Sequence, residues 1–100
     1  MQIEIENPSN DKFTIYSKSG CINCRKVKDF LKTNKQIFIE IDCDDYLLEN
    51  KEFFLSFIKN CAKKDCKTFP MIFYNSEFIG GFDECKLFVE KLIAFSNFEV

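Results

Sequence analysis

Histidine is absent from this 100-residue chain. That absence removes Cys-His nucleophilic pairs, histidine general bases and every metal site that needs an imidazole. Tryptophan is missing too, while phenylalanine occurs 13 times, so the aromatic part of the core is expected to be phenylalanine. Net charge is −2, which leaves no electrostatic footprint for nucleic acid or an anionic membrane. No apolar run approaches the roughly 18 residues needed to span a bilayer. The segment Met1–Pro8 is acidic and lacks an apolar h-region, so it does not read as a signal peptide. There is no internal repeat, linker or low-complexity stretch. Six cysteines stay below the roughly 8–10% of a secreted disulfide scaffold, and a reducing, cytoplasmic setting is the expectation.

What is present centres on Cys21-Ile22-Asn23-Cys24. Cysteines three apart face one another across a helical turn, at a separation that suits a disulfide. A strand-like run precedes the pair and a helix-like run follows it, which places Cys21 at a helix N-terminus. Free backbone N–H groups and the helix dipole favour thiolate there. A C-x-x-C beside a β-α-β pattern in a reducing compartment reads as a reversible dithiol/disulfide site.

The rest of the chain divides by periodicity. Residues 1–11 form a leader in which Ile3 and Ile5 alternate with polar residues, a candidate short edge strand; residues 12–100 form one domain. Lys12–Ser17 is the first firm strand, rich in β-branched and aromatic residues. Cys24, Val27, Phe30 and Leu31 share one face of a helix over 22–33. Gln36–Asp42 is a strand with Ile37, Ile39 and Ile41 on one face. Asp44 and Asp45 supply N-cap and first-turn carboxylates for a helix to about Lys64, with Phe53, Phe54, Phe57, Ile58 and Cys61 as a continuous stripe. Thr68–Tyr74 and Glu77–Gly80 form a hairpin through Asn75-Ser76. Asp83 caps a last helix over about 84–96, buried along Cys85, Phe88, Val89, Leu92 and Ile93. The expected architecture is α/β, with order β-α-β-α-β-β-α and a four-stranded mixed sheet flanked by three helices.

This order, with Lys18-x-x-Cys21-x-x-Cys24-Arg25, Thr68-Phe69-Pro70 and Gly80-Gly81-Phe82-Asp83, resembles the glutaredoxins of the thioredoxin-like fold across about residues 12–96. The resemblance implies a thiol–disulfide oxidoreductase with Cys21 as nucleophile and Cys24 as resolving thiol. It implies glutathione as co-substrate, and disulfide-bonded or glutathionylated proteins, ribonucleotide reductase among them, as clients of a monomer. Pro70 would be cis and face the cysteine pair, a form only about 5–6% of X-Pro bonds adopt. The Phe69 backbone and Thr68 hydroxyl would line the groove. Gly81, Phe82 and Asp83 match the segment that holds the γ-glutamyl end, and Lys18 matches the lysine facing the glycine carboxylate. A further contact from the second helix falls to Lys59, Asn60, Lys63 or Lys64.

Between the cysteines, Ile22-Asn23 stands where many dithiol members have Pro-Tyr. Members without that proline sometimes hold a bridging iron–sulfur cluster, so a glutathione-ligated cluster carrier is one alternative. A thioredoxin-like reductant that ignores glutathione is another. Of the remaining cysteines, Cys61 and Cys85 lie on apolar stripes, and Cys43 sits among carboxylates that oppose thiolate. Cys66 lies in a basic loop and is a secondary candidate for oxidation. A zinc site from Cys21/Cys24 with Cys61/Cys66 has loose spacing, and no resident metal is expected.

Overall fold

The computed structural model describes residues 3–97. Its elements are β1 (Phe13–Ser17), α1 (Ile22–Thr33), β2 (Phe38–Asp42), α2 (Asp44–Ala62), β3 (Met71–Tyr74), β4 (Glu77–Gly80) and α3 (Phe82–Asn97). The order is the β-α-β-α-β-β-α read from the periodicity. The strands form one mixed sheet in the order β2-β1-β3-β4. α1 carries the chain across the sheet, so β1 and β2 pair in parallel, whereas β3 runs antiparallel to both β1 and β4. The hairpin closes through Asn75 (φ 49°) and Ser76 (φ 72°), both left-handed, as a two-residue turn matching strand twist requires.

Alternation along the strands divides the core between two faces. Phe13, Ile15 and Ile72 pack with Val27 and Leu31 of α1 and Cys85 and Val89 of α3. Tyr16, Met71 and Phe73 point the other way, onto Phe54 and Ile58 of α2. Full burial of each such side chain contributes about 1.5–3 kcal/mol. Phe54 is the hub of the second face, stacked between Tyr46 at 5.6 Å and Phe69 at 6.0 Å.

Several expectations are corrected. The leader forms no strand over residues 3–12. It is tied down instead by the Tyr16 hydroxyl, which donates to the Glu6 carbonyl, and by the Tyr46 hydroxyl, which accepts from the Glu6 N–H. Ile37 precedes β2 and is 72% exposed, while Ile41 is buried, so the expected three-isoleucine face loses its first member. α2 is interrupted at Asn50, whose φ/ψ of −161°/83° is not helical. The Asn50 side chain accepts from the Phe53 N–H at 3.0 Å and so caps the second segment. That break leaves Phe53 38% exposed. Asp44 is the first helical residue rather than the cap. The cap position is Cys43, and Asp42 accepts from the Asp44 N–H at 3.0 Å. α3 starts at Phe82, so Asp83 lies inside its first turn. The residue before the helix is Gly81, whose N–H donates to Glu84 Oε1 at 2.9 Å, the returning half of a capping box.

Candidate active site

β1 ends at Ser17 and α1 begins at Ile22, so Lys18-Ser19-Gly20 must turn the chain. Gly20 makes the turn with φ 72°, a conformation that costs a residue with a Cβ. Cys21 then occupies the N-cap with extended φ/ψ (−101°, 105°), and its Sγ accepts from the Cys24 N–H at 3.1 Å. The first turn of α1 carries no acidic residue. The positive end of the helix therefore acts on the sulfur without a competing carboxylate in that turn of α1.

Cys21 and Cys24 are joined in a disulfide, with Cα atoms 5.2 Å apart. Their environments differ: Cys21 is half-buried, Cys24 only 2% exposed. An incoming disulfide therefore reaches Cys21 first. Cys24, packed inside, is placed to attack only what Cys21 carries.

A cavity of about 590 Å³ opens over Cys21. Lys18, Gly20, Ile22 and Asn23 line its near side, and Lys67, Thr68 and Phe69 form the facing wall. The Phe69–Pro70 bond is cis, and Pro70 itself is buried. Because the Phe69 ring stacks on Phe54, the main chain of Phe69 is what remains for the groove. A second cavity, of about 650 Å³, shares Lys67 and Thr68 with the first and continues to Gly80, Gly81 and Glu84.

The fold thus brings Lys18, Cys21, Thr68 and Phe69 into one groove and puts Gly81 on its extension. Besides the buried Cys24, three of the expected residues, Pro70, Phe82 and Asp83, line neither cavity. The Phe82 ring packs edge-on against Phe30 of α1 at 6.2 Å, leaving its backbone alone near the helix start. Asp83 is exposed on α3 and borders neither cavity; the carboxylates in the second one belong to Asp65, Glu77 and Glu84, of which Glu84 is the one on α3. Lys67 and Glu84 are among the cavity-lining residues that sequence reasoning passed over. Both had a signal, since Lys67 directly precedes Thr68 and Glu84 stands at capping-box spacing. Of the cations expected on the second helix, Lys63 and Lys64 lie just past its end at Ala62 and border the second cavity, while Lys59, on α2, pairs with Asp65 at 3.6 Å.

The other thiols are held away from thiolate. Burial, with Asp42 and Asp44 nearby, pushes Cys43 up to about 12, and burial pushes Cys85 up to about 12. Desolvation also raises Cys61 and Cys66. Cys66 is half-buried rather than fully exposed, with its thiol 3.9 Å from the Thr68 carbonyl. Among the described residues no three histidine, cysteine, aspartate or glutamate side chains converge as a metal site. Nor is any described helix long and apolar enough to cross a membrane.

A cysteine pair at the start of the helix that follows the first strand, on this sheet order and with a cis-proline ahead of the third strand, marks a thioredoxin-like fold. Comparison with known proteins narrows that class. A sequence model of the glutaredoxin family matches residues 13–79. Glutaredoxin 1 of Rickettsia typhi is 34% identical over 70 residues, 70% of this chain. The match spans 62% of that relative's length. The crystal structure of glutaredoxin 1 from Francisella tularensis, complexed with cacodylate, superposes with a TM-score of 0.71 at 30% identity. It covers 83% of this chain and 96% of the other. A buckwheat glutaredoxin–glutathione complex shares the fold, with a TM-score of 0.65 at 22% identity over 84% of this chain and 74% of its own. The chain belongs to the glutaredoxin family.

Proposed function

We propose that the protein is a glutathione-dependent thiol–disulfide oxidoreductase that reduces glutathione mixed disulfides and protein disulfides through Cys21 and Cys24. The observation that carries this reading is the asymmetry of the pair: an accessible sulfur that accepts a helix amide, beside a buried one. Membership of the glutaredoxin family and the buckwheat relative solved with glutathione support glutathione as co-substrate.

In the reaction, the Cys21 thiolate attacks the glutathionyl sulfur of a mixed disulfide, and the client sulfur leaves and takes up a proton. The resulting Cys21–glutathione disulfide has two exits. A second glutathione thiolate attacks the glutathionyl sulfur, forming glutathione disulfide and freeing Cys21. Alternatively, the Cys24 thiolate attacks Cys21 Sγ and expels glutathione, giving an internal disulfide that two further glutathiones reduce. The main chain at Phe69, the Thr68 hydroxyl and Lys18 hold the cysteinyl and glycine parts of glutathione. Gly81 and the backbone of Phe82, with Asp83 at the rim, receive the γ-glutamyl end. Pro70 closes the groove floor. Clients are glutathionylated or disulfide-bonded proteins, ribonucleotide reductase among them, met by a cytoplasmic monomer that maintains redox homeostasis.

Turnover of a glutathionylated peptide, coupled to glutathione reductase and NADPH, tests the proposal. Activity is expected for the wild type and lost in Cys21→Ser. Absence of wild-type turnover overturns it. Equal rates with thioredoxin reductase and no glutathione would point to the glutathione-independent alternative.

A further inference from the structure

The turn that delivers Cys21 is fastened from outside its own helix. The Ser19 N–H donates to Asp44 Oδ1 at 2.9 Å, and the Ser19 hydroxyl donates to the second oxygen of the same carboxylate. Asp44 is itself fixed: its N–H donates to Asp42 Oδ1 at 3.0 Å, and the preceding Cys43 N–H donates to the Ser17 carbonyl at 2.8 Å. The last residue of β1 and the middle of the active-site turn are therefore both tied to the β2–α2 junction. Position 44 is what carries the second tie, because Asp44 does not serve its own helix as a cap. These bonds, helped by the Lys18 ammonium acting through space, hold the Asp44 carboxyl below its usual range, so it is ionised at neutral pH.

From this geometry we infer that Asp44 is a positioning residue of the thiol site: it sets the turn that presents Cys21, and its charge offsets part of the positive field of Lys18. The inference rests on the reading of Cys21 as the reacting thiol, but it needs no role for glutathione. The charged groups around the turn are Lys18 on the turn, Arg25 on α1, Asp42 and Asp44 at the β2–α2 junction, and Lys67 on the facing wall. Of the two carboxylates, Asp44 is the one bonded to the turn, and Lys18 acts on it. Removing its charge leaves Lys18 free to act on the sulfur. Removing its oxygens frees the turn.

The test uses full-length reduced protein without glutathione. Cys21 alkylation by iodoacetamide is followed across pH by peptide mass spectrometry, and exchange with a small aromatic disulfide is timed in parallel. Asp44→Asn keeps an acceptor for the Ser19 N–H and loses the charge. Its alkylation midpoint should fall by about 0.3 pH units, the order of magnitude for removing one nearby charge that acts through a water-like medium. Asp44→Ala should show the same acid shift, and exchange slower by about two- to tenfold, the effect of a lost net hydrogen bond. Ser19→Ala should slow exchange without moving the midpoint. A positioning role predicts that Asn restores the exchange rate lost in Ala, which a general loss of stability does not. Wild-type midpoints and rates in both Asp44 variants overturn the inference. Wild-type protein that passes this test yet fails to turn over glutathionylated peptide refutes glutathione dependence and leaves the role of Asp44 standing.

Discussion

The Cys24 amide donates to the Sγ of Cys21 at 3.1 Å, so the buried cysteine of the pair also solvates its partner's sulfur. The bond comes from backbone and survives any change of the Cys24 side chain. Cys24→Ser should therefore keep thiolate at Cys21 and retain turnover of glutathionylated peptides, while losing reduction of protein disulfides that require the internal step. Steady-state assays on the two substrate types separate these outcomes. Equal loss on both would mean that Cys24 is needed before the mixed disulfide forms.

Lys67 faces Cys21 across the groove from Lys18. Both lysines are exposed, and the glutathione moiety of the proposed substrate is anionic, so they act on it through a screened field. Lys67→Ala is expected to raise KM for a glutathionylated peptide by about two- to fivefold at low salt, with kcat little changed. The effect should shrink as ionic strength approaches 1 M, where the Debye length falls to about 3 Å. A KM unmoved at low salt would exclude Lys67 from the substrate's path.

Cys43 and Cys85 are buried, with thiols raised to about 12. At pH 8 only about one in 10,000 is thiolate, the form that alkylates. Reduced native protein should take up iodoacetamide at Cys21 first, at Cys61 and Cys66 slowly, and at Cys43 and Cys85 only in urea. Peptide mapping after timed quenching reads this order directly.

Asn50 caps the second segment of α2 through the Phe53 N–H. Replacing it by Ala removes that acceptor at an exposed position, where the cost is about 1 kcal/mol. For a domain of this size Tm should drop by roughly 4–8 °C, with the Asp variant close to wild type. Calorimetry on the three proteins checks both.

Glu40 is pushed up by burial but lowered on balance by the Lys28 ammonium at 2.9 Å and the Ser17 hydroxyl at 2.7 Å. Its folded value lies below the ordinary 4.5, so its contribution is present above that pH and lost as pH falls through the folded value. The side chains are 25% and 37% exposed, and solvent screening holds the contribution to about 1 kcal/mol or less. Glu40→Gln should flatten the acid limb of urea-unfolding stability between about pH 3 and 5 and leave its slope above pH 6 unchanged.

Where the determining forces are local, sequence and structure agree. Apolar residues at spacings of three and four define α1 and α3, β-branched and aromatic residues define β1, and Cys21-x-x-Cys24 needs only one helical turn to meet. Those relations are written in neighbouring residues, and so the element order and the reacting pair were legible by themselves. Tertiary structure decided what side chains separated along the chain do once they meet. It turned Asp44 from the expected helix cap to the Ser19 turn, because the β2–α2 junction lies beside that turn. It set Lys67 opposite Cys21, because the loop before the cis-proline forms the facing wall. It placed Glu84 rather than Asp83 against Gly81, because α3 begins two residues earlier than its apolar stripe suggested. Periodicity shows which face of an element is buried; which polar groups share a groove depends on how the elements pack.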